Sequence, residues 1–319
     1  MRKIHHAAIA GAGAVGAAVA SMIHDTDPDM VTIIAEGDRA ERYRSSGLLV
    51  NGKQYHFSVQ EASKVDPAPD LVIVATKSYD LPAAIELLSP AIGRQTVVLS
   101  LLNGITSEKL IAERFGAERV LPAMIIGIDA VRVGGRIDYA SRGNINFGPN
   151  AAVSPIDPVR VSDHPQWTTV EAVRAFFAHC AIPCTVKADM ERTLWWKFMV
   201  NVGINQASAI LRAPYGVFQQ NRDARALMIS AMEEVVALSA AAGIGLVRAD
   251  IDQWDNTLTT LLPGGKTSML QDVEAGRKTE VDLFAGAMIE MGDRYGVPVP
   301  VNRAMYRMLK TIESMSGPS

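Results

Sequence analysis

A chain of 319 residues exceeds the ~250–300 residues at which one hydrophobic core stops growing, so two domains are expected. The 48% hydrophobic and 20% charged composition is that of an ordinary soluble globular protein, and a net charge of −3 leaves no basic patch for nucleic acid and no polybasic run for a membrane surface. Two cysteines, Cys180 and Cys184, form neither a disulfide framework nor a redox C-x-x-C pair, and the six histidines show no metal-ligand spacing, so a cytoplasmic protein without a metal is expected.

Ala7–Ala10 reads as a buried strand and Val15–Ile23 as a helix. Arg2-Lys3 ahead of the apolar stretch Ala7–Ile23, with Ala18-Val19-Ala20 as a cleavage-like site, has the outline of a secretory leader. That stretch is mostly Ala and Gly, however, and its spaced glycines belong to another motif. No later stretch reaches the ~20 apolar residues of a membrane span. Val31–Ala35 is a second strand, rich in β-branched residues. Leu48–Val50, Asn51-Gly52 and Gln54–Val59 predict a hairpin on a type I′ turn. Leu71–Ala75 and Thr96–Leu99 are short, continuously apolar strands, and such strands separated by helices imply a parallel sheet covered on both faces.

A strand over Val120–Ile126, a hairpin through Gly134-Gly135 and a strand over Asn144–Phe147 follow. Pro149 to Pro165 is a loop with four prolines, Thr169–His179 a helix and Cys184–Val186 a last strand. Beyond Met190 the strand signals end. Met190–Arg212, Ala224–Gly243, Ser268–Glu274, Asp282–Tyr295 and Asn302–Ser314 read as helices, and the chain ends in a short Ser-Gly-Pro tail. The expected fold is an α/β domain over residues 1–187 followed by an all-helical domain over 188–319.

Gly11-Ala12-Gly13-Ala14-Val15-Gly16 follows a predicted strand and opens a predicted helix, which is the context of a dinucleotide-binding turn. The first glycine permits the turn, the second lets a pyrophosphate approach the backbone, and the third lets helix and strand pack closely. The helix N-terminus then offers unpaired N–H groups to the phosphates. The motif alone leaves NAD, NADP and FAD open. Glu36, 20 residues past Gly16, is placed to accept from the ribose 2′-hydroxyl of NAD, whereas Arg39 and Arg42 are placed to hold the 2′-phosphate of NADP.

Lys197, Asn201 and Asn205 recur at i, i+4 and i+8 on a helix that is otherwise apolar, with Thr193 one turn before them. A buried lysine is costly unless paired or functional. The alternative is a lysine snorkelling to solvent beside two structural asparagines. In carbonyl reduction, an ammonium beside the oxygen stabilises the growing negative charge and donates the proton.

Together with Thr76-Lys77-Ser78, Leu102-Asn103-Gly104 and Ser268-Met269-Leu270-Gln271-Asp272 leading to Arg277-Lys278-Thr279-Glu280-Val281-Asp282, these segments resemble the ketopantoate reductase (2-dehydropantoate 2-reductase) family over nearly the whole chain. The resemblance implies a Rossmann-type doubly wound, mostly parallel sheet. It also implies a helical domain like that of 6-phosphogluconate dehydrogenases. It implies Lys197 as general acid and Asn103 beside nicotinamide and substrate. Lys77 falls near the cofactor, Asn201, Asn205 and Ser268 on the substrate, and Glu280 on the cofactor and the lysine's environment. It favours NADPH, with NADH the alternative, and the reduction of 2-dehydropantoate to pantoate in pantothenate biosynthesis.

Two positions depart from the family pattern. A Pro-Asn-Gly turn reads Pro214-Tyr215-Gly216 here, which removes an amide from the substrate site, and Glu36 stands where an arginine is common. Local readings also stay open. Ser268-x-x-Gln271 is a capping box, Thr279 is a candidate helix cap, and Asn103-Gly104 is an ordinary turn pair. The rival functions are a dehydrogenase of the same architecture acting on another keto acid or a polyol phosphate, and a non-catalytic dinucleotide-sensing protein. The helical domain's apolar surface gives room for a homodimer.

Overall fold

The structure, a computed structural model, describes residues 3–315; Arg2 of the leader-like start and the Ser-Gly-Pro tail lie outside the described residues. The chain divides into two units, Met1–Glu191 and Arg192–Ser319.

In the first unit, β1 (Ala7–Ala10) leads into α1 (Ala14–Thr26), β2 (Val31–Ile34) and α2 (Gly37–Ser46). The strands β3 (Leu48–Val50) and β4 (Lys53–Tyr55) form a hairpin, followed by β5 (Ser58–Gln60) and β6 (Leu71–Val74). Next come α3 (Leu81–Leu88), β7 (Val97–Ser100), α4 (Ser107–Phe115) and β8 (Val120–Leu121). The main sheet has six strands, all parallel, in the order β5-β2-β1-β6-β7-β8. Counting only these strands, the order is third, second, first, fourth, fifth, sixth, which is the dinucleotide-binding arrangement with its switch point between β1 and β6.

Side chains along each strand alternate between two cores, as the pleat requires. Ala7, Ile9, Ile33, Leu71, Ile73 and Leu99 face one core, while Ala8, Ala10, Ile34, Val72, Val74 and Val98 face the other with Leu81 and Ile85 of α3 and Ile111 of α4. Both faces are therefore buried, which accounts for continuously apolar strands.

The unit continues with β9 (Ala123–Ile128), β10 (Val131–Val133), β11 (Arg136–Asp138), β12 (Arg142–Phe147), α5 (Trp167–His179) and β13 (Cys184–Val186). These strands complete two smaller sheets, β10-β11-β3-β4 and β13-β12-β9. Cys180 and Cys184 are both free thiols. Burial pushes the Cys180 thiol up to about 11, so it stays protonated at neutral pH.

In the second unit, α6 (Met190–Val200), which begins at the unit boundary, runs through a π turn (Asn201–Asn205) into α7 (Gln206–Leu211). It is followed by α8 (Tyr215–Gln220), α9 (Arg222–Ala241), α10 (Arg248–Thr260) and α11 (Ser268–Glu274). A second π turn (Asp282–Gly286) opens α12 (Ala287–Tyr295), and α13 (Pro300–Met315) closes the described chain. No helix among the described residues is long and apolar enough to cross a membrane. No group of three or more His, Cys, Asp or Glu among them is placed to hold a metal.

Several sequence expectations change. Asn51 and Gly52 both take positive φ, as a type I′ turn requires, but the arm expected over Gln54–Val59 breaks. Its first part pairs with β3, and Ser58–Gln60 leaves to become the edge of the main sheet. The strand expected over Val120–Ile126 splits at Pro122, which has no N–H for a ladder, into β8 of the main sheet and β9 of another. The helices α8 and α10 were absent from the sequence reading, although Ile251, Trp254 and Leu258 are spaced three and four apart and all are buried.

Candidate active site

The β1–α1 turn gives each glycine a distinct physical role. Gly11 has φ +94°, and a Cβ there would lie 2.7 Å from Ala75 C and Thr76 N, because β1 and β6 end in register side by side. A Cβ on Gly16 would collide with the Gly11 carbonyl oxygen and approach Ala75 Cβ at 3.2 Å. A Cβ on Gly13 would meet nothing within 4 Å. The first and third glycines are thus demanded by the fold, whereas the second faces open space at the start of α1. There the first-turn amides have no intrahelical acceptor. The Thr76 hydroxyl, buried beside the turn, has no hydrogen-bond partner. Open space, unpaired amides and an orphaned hydroxyl together fit a dinucleotide pyrophosphate.

Glu36 follows β2 as the residue before α2 and is exposed, as are Arg39 and Arg42. Its side chain makes no capping bond, and Arg42 lies over the Tyr43 ring at 5.6 Å. Lys77, just past β6, is half-buried and precedes a 3-10 turn over Ser78–Asp80. Asn103 is half-buried in the turn after β7, where Gly104 takes φ +89°. Behind that turn lies a buried network that sequence reading missed. Ser100 Oγ and Ser107 Oγ are 2.8 Å apart, Ser107 Oγ donates to Glu108 Oε2 at 3.0 Å, and Leu102 N donates to Ser100 Oγ at 3.3 Å. Serines next to a strand end and a helix start were the available signal.

In the second unit, Lys197 is half-buried on α6 among the buried Leu194, Trp195, Phe198 and Met199. On an α-helix, four residues overshoot a turn by about 40°, so a stripe at i, i+4, i+8 drifts sideways. The π turn takes roughly 4.4 residues per turn, so the step from Asn201 to Asn205 falls short by about 30° and removes most of that drift. The two amides meet, with Asn205 Nδ2 donating to Asn201 Oδ1 at 3.4 Å. Asn201 Nδ2 is buried with no acceptor among the described residues.

The π turn is held by features that periodicity does not reveal. Gln206 Nε2 donates to the Val202 carbonyl within the turn at 2.8 Å and to Asn302 Oδ1 at 3.0 Å. Asn302, wholly buried, donates in turn to Glu234 at 2.8 Å. Gly203 lets α9 approach, since a Cβ there would strike the Met232 side chain and lie 3.0 Å from the Met228 carbonyl oxygen. Gly203→Ala is therefore expected to cost about 1–3 kcal/mol of stability, measured as a lower denaturant midpoint with unchanged slope.

Ser268 is the first residue of α11 and is exposed. The cap expected at Ser268 lies one residue earlier: Thr267 Oγ1 accepts from Leu270 N at 3.2 Å. Ser268 is thereby released from capping. Thr279 does take a local role. Its Oγ1 accepts from Val281 N at 3.3 Å and donates to Glu313 at 2.6 Å. Glu280 follows it, buried at 7% exposure, two residues before the second π turn. The segment α11 packs on the first π turn and on α7, and the two π turns pack on each other. The elements bearing Lys197, Asn201, Asn205, Ser268 and Glu280 are thus neighbours within one unit. Tyr215 is half-buried against Gly265, its N–H donating to the Gly265 carbonyl at 3.0 Å. Burial raises its phenol pKa, so it remains a neutral donor at pH 7.

Comparison with known proteins agrees over both units. The family profile described as ketopantoate reductase PanE/ApbA matches residues 7–152, and its C-terminal counterpart matches residues 189–313. A curated relative, the 2-dehydropantoate 2-reductase of Pyrococcus horikoshii, is 28% identical over 315 residues, covering 98% of each chain. Among solved structures, a PanE/ApbA family ketopantoate reductase from Ralstonia eutropha superposes with a TM-score of 0.82 at 26% identity, covering 98% of this chain and 99% of that one. D-mandelate dehydrogenase, solved with NADH and anilino(oxo)acetate, superposes with a TM-score of 0.86 at 22% identity, covering 98% of this chain and 99% of that one, and shares the fold.

Proposed function

We propose, because this chain belongs to the ketopantoate reductase family, that it reduces 2-dehydropantoate to pantoate with Lys197 as proton donor. The family makes it an NAD(P)-dependent oxidoreductase acting on CH–OH groups and a reductase of 2-keto acids. The observation that carries the proposal is the Lys197–Asn201–Asn205 stripe, kept in line by a π turn on an otherwise apolar helix.

A nicotinamide held by this site would supply the hydride that the keto carbon receives. As negative charge builds on the keto oxygen, the Lys197 ammonium stabilises it and releases a proton to it. Asn201, Asn205 and Ser268 offer amide and hydroxyl groups to the rest of the keto acid. Asn103 and Lys77 serve the nicotinamide end, and Glu280 sets the lysine's electrostatic surroundings. The first-turn amides of α1 hold the pyrophosphate. Two free thiols suit the reducing cytoplasm in which we place the protein. In the same reading it acts as a homodimer.

Arg39, Arg42 and the family resemblance favour NADPH. The exposed Glu36 carboxylate, at the end of β2 without an ion pair to either arginine, shifts our choice to NADH. It would accept from a ribose 2′-hydroxyl and repel a 2′-phosphate. In the wild type, kcat/KM with NADH is expected to exceed that with NADPH by about tenfold or more, and Glu36→Arg to reverse the order. A wild-type preference for NADPH would rule out this role for Glu36.

Tyr215, which puts a phenol where the family pattern has an amide, favours a second reading, a reductase of the same architecture for a different 2-keto acid. One experiment separates the two. The purified chain is offered 2-dehydropantoate and a panel of larger aliphatic and aromatic 2-keto acids, each with NADH and with NADPH. The highest kcat/KM on 2-dehydropantoate supports the first reading, and the highest on a larger acid supports the second. Dinucleotide binding without turnover of any acid sinks both.

A further inference from the structure

We propose that Arg132 is a phosphate-binding residue of the dinucleotide site, its guanidinium donating to the pyrophosphate that lies against the glycine turn. This rests on reading the chain as a dinucleotide-dependent reductase. Arg132 lies on β10 directly opposite Ile137 of β11, so the two side chains share a face. Ile137 is wholly buried in the core that contains Ala17 and Ala20 of α1. Arg132 is therefore directed toward α1 by the hairpin itself.

The guanidinium reaches the turn. Arg132 Nη1 donates to the Ala12 carbonyl at 2.9 Å, and Nε donates to the Gly134 carbonyl at 3.0 Å. Ala12 lies between the two glycines that open the turn, next to Gly13 and its open space. A guanidinium has five N–H donors. Those two bonds occupy one on each of two nitrogens, and the remaining donors have no partner among the described residues.

Electrostatics gives this placement a purpose. A pyrophosphate brings two negative charges, while the N-terminus of α1 offers only about half a positive charge. The first turn of α1, Ala14-Val15-Gly16-Ala17, adds no cation of its own. Arg132 supplies a full charge, which stays on at all relevant pH, and its planar fork suits phosphate oxygens. The arginine is half-buried, so solvent screens it less than it screens a surface lysine.

The test compares ADP, adenosine and NADH on the wild type, Arg132→Met and Arg132→Lys. Dissociation constants come from fluorescence titration and competition. Arg132→Met is expected to weaken NADH and ADP by about 10- to 100-fold and to leave adenosine within about twofold. If the Met variant does not fold, Arg132→Lys carries the test, with ADP weakened about three- to tenfold and adenosine unchanged. ADP and NADH affinities close to wild type in the variants would overturn the inference. An equal loss for ADP and adenosine would also overturn it, because that pattern marks a turn merely propped by the side chain. A wild type that binds NADH while the variants behave this way leaves the reductase reading intact. A wild type that binds none of ADP, NADH or NADPH overturns both.

Discussion

Replacing Lys197 with alanine is expected to lower kcat about 100- to 10,000-fold while the dissociation constant for the dinucleotide stays within about twofold. The size follows from losing both a proton donor and a positive charge beside an oxygen that turns negative. Selectivity follows from position. Lys197 lies on α6 of the second unit, whereas the glycine turn, Thr76 and Arg132 belong to the first. Its neighbours Leu194, Trp195, Phe198 and Met199 carry the packing of that helix, so a truncated side chain leaves the core in place. Steady-state kinetics supplies kcat, and fluorescence titration supplies the dissociation constant. Lys197→Arg keeps the charge but holds its proton too tightly to release it, so turnover is expected to remain well below wild type. Near-normal turnover in Lys197→Ala would remove the lysine from the chemistry.

The second large effect separates two glycines of the same turn, three residues apart: Gly13→Ala and Gly16→Ala are expected to fail differently. A methyl on Gly16 collides with the Gly11 carbonyl oxygen and crowds Ala75 Cβ, and neither backbone nor an alanine can rotate away. That variant is expected to lose about 3 kcal/mol or more of stability and to bind dinucleotide at least about 100-fold more weakly. Gly13 has φ −75°, which any residue adopts, and its methyl meets nothing within 4 Å. Gly13→Ala is therefore expected to unfold at the wild-type denaturant midpoint while binding dinucleotide at least about tenfold more weakly, because the methyl occupies the space of the pyrophosphate. Unchanged binding in Gly13→Ala would show that no ligand lies against this turn.

Much of this was legible in the sequence because the responsible forces are local or periodic. Strands buried on both faces must be apolar throughout, so Leu71–Val74 and Val97–Ser100 announce themselves. The order of strands and helices then leaves few topologies, and the observed strand order is the one a glycine turn after β1 implies. The stripe at Lys197, Asn201 and Asn205 showed as polarity repeating on an apolar helix.

What escaped was set by tertiary packing. No residue type marks a π turn; the one at Asn201–Asn205 depends on Gly203 against Met232 and on the Gln206–Asn302–Glu234 chain, whose members are far apart in sequence. The cap of α11 shifted by one residue because Thr267 and Ser268 are both good caps, and only the fold chooses between them. Ser58–Gln60 left its hairpin because β2 had an open edge to pair. Arg132 was invisible because its link to Ala12 spans 120 residues and depends on the register of β10 with β11.

The central claim is that this chain moves a hydride from a reduced nicotinamide to a 2-keto acid. The most direct measurement follows a deuterium label placed at the transferable position of the nicotinamide ring, with 2-dehydropantoate and the larger keto acids as acceptors and mass spectrometry of the products. With wild-type protein the label is expected on the former carbonyl carbon of a 2-hydroxy acid, and with Lys197→Ala that transfer is expected to be nearly lost. Tight dinucleotide binding by the wild type with all label retained on the cofactor would contradict the central claim and identify a binding protein instead.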